Sequence, residues 1–229
     1  QISNLSKKYG ETVVFSDLNY TFENACIYGL VGRNGAGKTT LLNILSNYDK
    51  NYTGVISIDR KKMNKVDYLD MPVAYAMDQP SFFNELTIYE NLLLIASSRK
   101  IKKQEAFDKI ERILDGLGLK KYENYSPLEL SKGTMQRLNN ACAMIQEEKI
   151  TIFDEPFSGL DPVQMKLLEN VMVEFHKKEK GIYIISSHDI ECLQNVCDKC
   201  LLLHNGQIRE INMEEVDREE IAKILSEGE

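Results

Sequence analysis

The stretch IYGLVGRNGAGKTTLL, residues 27–42, constrains this chain more than any other part of it. It sets the pattern G-x-x-x-x-G-K-[ST] on Gly32 to Thr39, with an apolar strand before it and an apolar-periodic helix after it. Strand, tight loop and helix in that order are the context in which the pattern carries chemical meaning. Gly32, Gly35 and Gly37 let the backbone curl until its N–H groups converge, with Asn34 and Ala36 completing the loop, and the helix dipole adds positive potential at the same point. Such a concavity suits a phosphate chain. Lys38 is placed to reach β- and γ-phosphates, the Thr39 hydroxyl to ligate Mg²⁺, and Thr40 stands beside it. A flexible glycine-rich loop with a stray lysine would not need those flanks.

A second motif narrows the chemistry. ITIFDEP at 150–156 reads as a buried strand that ends in two carboxylates. Asp154 would hold Mg²⁺ through water, and Glu155 is placed to polarise an attacking water. A protein that only binds nucleotide has little use for the second carboxylate, so the pair points to hydrolysis.

Periodicity organises the rest. Residues 2–30 and 53–58 read as strands, and 38–48 as a helix. From about 87 to 148 the pattern is mostly helical, including a helix with apolar positions Phe107, Ile110, Leu114 and Leu117. Strand and helix then alternate: a strand at 150–153, a helix after Asp161-Pro162, a strand at 182–186, a helix at 189–197 and a strand at 201–204. Asn205-Gly206 makes a tight turn into a returning strand, and an acidic helix closes the chain. The expected fold class is α/β, a P-loop NTPase core with a mostly parallel sheet, an N-terminal antiparallel β subdomain and an inserted α-helical subdomain.

Composition excludes several classes. With 229 residues, 43% of them hydrophobic, the chain can bury a substantial core, and its formal charge of −7 argues against a nucleic-acid partner. The basic runs RKKMNK at 60–65 and RKIKK at 99–103 read as solvated faces. No apolar run approaches the length needed to cross a bilayer and no charged-then-apolar leader opens the chain, which leads us to expect a soluble, non-exported protein. Its start at Gln1 implies trimming. The five cysteines are odd in number and scattered, which fits a reducing compartment. Cys197 and Cys200, near Cys192 and His204, could suggest zinc, but they fall on different elements at apolar positions, where cysteine packs as a small hydrophobe.

With these motifs in hand, the chain resembles the ATP-binding cassette ATPases, the nucleotide-binding subunits of ABC transporters, over nearly its whole length. The resemblance implies one nucleotide-binding domain spanning 1–229, with about 80–148 as the Q-loop and helical subdomain. It assigns Tyr9 to stacking on adenine, Gln79 to Mg²⁺ and the attacking water, and His188 to the γ-phosphate. Ser158-Gly159-Leu160-Asp161 matches the family's D-loop. LSKGT at 130–134 stands at the signature, usually LSGGQ, with Ser131 as a helix N-cap and Gly133 open to close approach; Lys132 and Thr134 depart from the pattern. In the family this helix start caps the γ-phosphate of ATP held by an opposite subunit.

The implied cofactors are ATP and Mg²⁺. The implied partners are a second ABC ATPase domain, in a homodimer or heterodimer, and a separate integral membrane permease that holds the chain at the cytoplasmic face. Phe82, Phe83 and Leu86 are candidates either for the permease contact or for core packing. Lys-containing signatures tilt the expectation toward export of a drug, antibiotic or peptide. Two rivals are a soluble ABC-type ATPase of DNA repair or translation and a poorly hydrolysing regulatory cassette.

Overall fold

In the computed structural model, residues 1–66 and 70–211 are described. The expected closing helix lies outside them. The central strand is β3 (Cys26–Val31), every residue of which is buried, as its unbroken apolar run requires of a strand covered on both faces. It lies in a six-stranded sheet with β6 (Val73–Ala76), β7 (Ile150–Asp154), β8 (Ile182–Ser186), β9 (Lys199–His204) and β10 (Gln207–Ile211), in the order β10-β9-β3-β8-β7-β6. All pairs are parallel except β9 with β10, which the Asn205-Gly206 turn folds into an antiparallel hairpin. A second, antiparallel sheet holds β1 (Ile2–Tyr9), β2 (Thr12–Tyr20), β4 (Thr53–Ile58) and the short β5 (Lys61–Lys62), in the order β2-β1-β4-β5.

Two apolar cores flank the large sheet. On one side α1 (Lys38–Leu45) buries Leu41, Leu42, Ile44 and Leu45 against Phe15 and Leu18 of the small sheet and Tyr28 and Leu30 of β3. On the other lie α2 (Ile88–Ser98), α3 (Lys103–Gly116), α4 (Lys132–Met144), α5 (Pro162–Glu179) and α6 (Ile190–Val196). Each fully buried leucine or isoleucine here is worth about 1.5–3 kcal/mol. Helix α2 starts at a capping box, in which Thr87 Oγ1 accepts from the Glu90 N–H at 3.2 Å and Glu90 Oε2 accepts from the Thr87 N–H at 2.8 Å. Cys192 and Cys200 are buried in this second core and all five cysteines are free thiols.

Several details depart from the sequence reading. Helix α3 turns Ala106, Ile110, Ile113 and Leu114 inward and Leu117 follows them, as read, but Phe107 is only half-buried, beside Tyr89 at the edge of that stripe. The basic runs are not simply solvated. Met63 is buried in the first core, and Arg99 donates to Gln146 Oε1 and to the Met71 carbonyl and pairs with Glu148. Phe82 packs on the helical core whereas Phe83 is exposed. Lys109 is almost wholly buried, its ammonium 2.6 Å from Glu147 and 2.7 Å from Glu179.

Candidate active site

The parallel strands all point their carboxyl ends the same way, and the loops leaving them meet there, as expected for a ligand crevice in an open α/β sheet. The glycine loop follows β3, Asp154 ends β7 with Glu155 next to it, and His188 lies two residues beyond β8. Their side chains share a cleft of about 480 Å³ lined by Tyr9, Asn34, Gly35, Gly37, Lys38, Thr39, Thr40, Asp154, Glu155 and His188. The loop's shape is set by sterics: a Cβ on Gly32 would sit 2.7 Å from the Leu203 carbonyl oxygen of β9, so only glycine lets the loop lie this close to the sheet. Gly37 caps α1, whose free N–H groups face the cleft mouth. Lys38 Nζ donates to the Gly32 and Arg33 carbonyls at 2.8 and 3.3 Å, which holds the ammonium across the loop. Burial lowers its pKa, against the pull of Glu155 and Asp154.

The two carboxylates have different surroundings. Asp154 is buried; its Oδ1 accepts from Ser186 Oγ at 2.5 Å and its Oδ2 from Tyr75 OH at 3.3 Å. Glu155 has φ of 50°, a left-handed conformation costly for a side chain with a Cβ. Its N–H donates to the Ser186 carbonyl and Oγ, both at 3.1 Å, and its own carbonyl accepts from Gln136 Nε2 at 3.1 Å, so neighbours hold the strained turn. Burial raises its carboxyl to about 7, partly offset by the His188 backbone N–H and Lys38. Its Oε1 is buried and lacks an aligned hydrogen bond, although His188 Nε2 stands 3.1 Å away. Burial and Lys38 lower the pKa of His188, which favours the neutral ring. An under-satisfied carboxylate of raised basicity beside a neutral imidazole is suited to accepting a proton near neutral pH.

Not every residue named from sequence comes to the cleft. Gln79 is exposed and does not line it; Asp78 stands there instead, because the chain leaves β6 at Ala76 and the Met77 carbonyl is then held by Asn139 Nδ2 at 2.7 Å. Ser131, Gly133 and Asp161 also lie apart from it. Ser131 caps α4, its Oγ accepting from the Thr134 N–H at 3.2 Å, and Asp161 caps α5, accepting from the Gln164 N–H at 2.8 Å. A Cβ on Gly133 would meet the Gly159 carbonyl oxygen at 2.9 Å, and the Lys132 stem lies over Gly159. The signature and the D-loop therefore pack on each other.

Sequence reasoning missed Tyr75 and Ser186, which orient Asp154, and a row of amides on α4. Gln136, Asn139 and Asn140 are all buried and donate to the carbonyls of Glu155, Met77 and Pro156 respectively. Three amides at i, i+3 and i+4 on an otherwise buried helix are a visible signal, since buried amides must find partners.

A glycine loop between a parallel strand and a helix, facing two acidic residues at the end of a neighbouring strand, defines a P-loop nucleoside triphosphatase. The sequence pattern described as ABC transporter matches residues 15–158, more than half of the chain, and the chain belongs to that family. It is an ATP-binding, ATP-hydrolysing subunit of a transporter. It is 31% identical over 207 residues to an uncharacterized ABC transporter ATP-binding protein of Methanocaldococcus jannaschii, covering 90% of this chain and 74% of the relative. Over 220 residues it is 30% identical to the bacitracin transport ATP-binding protein BcrA of Enterococcus faecalis, covering 95% of this chain and 70% of that one. A solved structure described as the ATP binding subunit of an ABC transporter superposes with a TM-score of 0.88 at 26% identity, covering 99% of this chain and 98% of its own.

Proposed function

We propose that this chain hydrolyses ATP as one half of a head-to-tail pair of cassettes and so drives a separate integral membrane permease that exports a drug, antibiotic or peptide. The observation that carries the reading is the convergence of Lys38, Asp154, Glu155 and His188 on one cleft. Adenine stacks on Tyr9 and the triphosphate lies over Gly32 to Thr40, within reach of Lys38. Glu155 orients a water and takes up its proton as the water oxygen attacks the γ-phosphorus and the bond to the ADP oxygen breaks. Lys38 and His188 stabilise the negative charge that spreads in the transition state.

Magnesium fits the donor set, because the Thr39 hydroxyl and the buried, doubly hydrogen-bonded Asp154 carboxylate offer the hard oxygens it prefers, with Gln79 on the adjacent loop as a further oxygen donor. When bound, the ion would neutralise phosphate charge.

The placement of Ser131, Gly133 and Asp161 away from this cleft supports a second cassette, identical or different, whose nucleotide they would face. Among the described residues no helix is long and apolar enough to cross a membrane, which is in keeping with a permease on another chain and a peripheral position at the cytoplasmic face. The net charge of −7 is in keeping with no nucleic-acid partner. For direction and cargo, the support is the bacitracin relative and the lysine in the signature. Other relatives are named for tungstate uptake and for spermidine/putrescine import.

Two experiments test this. Basal ATPase of wild type should exceed that of Glu155→Gln by at least about a hundredfold, as for loss of a group that acts in the transition state, and equal rates would sink the hydrolytic mechanism. Tagged chain recovered from its native host in mild detergent should bring down a membrane permease. Recovery of ribosomes or DNA-repair factors alone would overturn the transport reading.

A further inference from the structure

The ring of Tyr9 is half-exposed at the rim of the cleft, outside the two apolar cores. What it has instead is an ion pair. Lys7, two residues earlier on β1, is almost fully buried, with Nζ 2.7 Å from Asp49 Oδ2 and donating to the Asn51 carbonyl at 2.6 Å. The same ammonium stands 4.5 Å from the Tyr9 ring centroid, and Tyr9 OH donates to Asp49 Oδ2 at 3.2 Å. Asp49 is itself braced by the Asn51 N–H at 2.8 Å. Tyr9 lines the nucleotide cleft and Lys7 does not; Lys7 lines a separate groove of about 390 Å³ with Asn51 and Tyr52.

We infer that Lys7 and Asp49 are positioning residues for the nucleotide base: together they hold the Tyr9 ring in a fixed plane, with one face against the cation and the other available to adenine. The inference rests on Tyr9 being the base platform, as proposed above. Two attachments fix the ring, one at its face and one at its hydroxyl. A ring held by both loses little further freedom when a base stacks on it, so less of the stacking energy is spent on ordering. The ammonium also draws π-density toward itself, which leaves the opposite face less repulsive to the electron-rich purine. Asp49 remains an anion across the physiological range: burial would raise its carboxyl, but the Lys7 and Asn51 hydrogen bonds outweigh this and hold it below the ordinary value.

The test compares a nucleotide with a ligand that lacks the base. ADP and inorganic pyrophosphate, each with Mg²⁺, are titrated calorimetrically into wild type, Lys7→Met, Tyr9→Phe, Tyr9→Ala and the double variant Lys7→Met/Tyr9→Ala. Lys7→Met should weaken ADP about five- to tenfold and Tyr9→Phe about threefold, with pyrophosphate changed less than about twofold in both. In the Tyr9→Ala background Lys7→Met should have no further effect on ADP. Should Lys7→Met not fold, Asp49→Asn carries the same expectation while leaving the lysine in place. Equal losses of ADP and pyrophosphate, or an unchanged ADP affinity in both Lys7→Met and Tyr9→Phe, overturn the brace and leave the platform standing. ADP affinity unaffected by Tyr9→Ala overturns the platform itself, and the brace with it.

Discussion

Ionising Glu155 in the free chain works against the fold, and that opposition can be measured as a pH dependence. Burial raises its carboxyl from an ordinary 4.5 to about 7, opposed by the His188 backbone N–H and Lys38 and assisted by Asp154 and Asp78. The folded chain therefore holds this proton more tightly than the unfolded chain. The stabilisation is fully present below the unfolded value, declines as pH rises and is lost once pH passes the folded value. At about 1.4 kcal/mol per pH unit the interval corresponds to about 3 kcal/mol, and partial solvent access to the side chain screens this to about 2 kcal/mol. Glu155→Gln keeps the shape and removes the titration. Urea unfolding of both proteins between about pH 4 and about pH 8, without nucleotide or magnesium, should show the variant gaining about 2 kcal/mol relative to wild type as pH rises. Titrations remote from Glu155 cancel in the difference. A difference that is flat across the range, or that moves the other way, refutes the assignment of the proton to Glu155.

Other perturbations have equally definite outcomes. Gly32→Ala drives a methyl to within 2.7 Å of the Leu203 carbonyl, so ATP affinity should fall at least about tenfold and stability by about 1–3 kcal/mol, read by calorimetric titration and denaturation; unchanged binding would refute the steric argument. Lys109→Met removes the cation shared by Glu147 and Glu179 and should cost about 3 kcal/mol in a urea melt, with ATPase preserved at temperatures where the variant is folded; a loss under about 1 kcal/mol would show the network to be expendable. Gln136→Ala frees the Glu155 carbonyl and should lower kcat about tenfold with KM for ATP unchanged, so a change in KM alone would contradict the positioning role.

The parts of the site that were legible in the sequence are those whose chemistry is bound to local backbone geometry. The loop from Gly32 to Thr39, the paired Asp154 and Glu155 and the cap at Ser131 each need particular residues at fixed short spacings. Tyr75 and Ser186 were not legible because their partner, Asp154, is on a different strand, and only the sheet order puts the three side by side. Arg99 read as part of a solvated face because nothing local to it shows Gln146 and Glu148, 47 and more residues away, which hold its guanidinium. Asp78, which lines the cleft beside the Gln79 read from the sequence, was not legible because its position depends on where β6 ends, and a strand terminus is set by its ladder partners rather than by its own residues. On α3 the apolar spacing placed Ile110 and Leu114, and Leu117 just past its end, correctly and failed only at Phe107, the largest apolar residue there, which is half-buried while the smaller Ala106 is buried.

The amide row on α4 has a kinetic meaning. Gln136, Asn139 and Asn140 tie one helix to two separate segments, the turn at Glu155 and Pro156 and the strand exit at Met77. Side-chain hydrogen bonds, unlike a strand ladder, can be exchanged one for another without unfolding anything, yet here a single rigid body holds all three. A small rotation of α4 would therefore release or recruit the catalytic turn and the Met77 loop in the same movement.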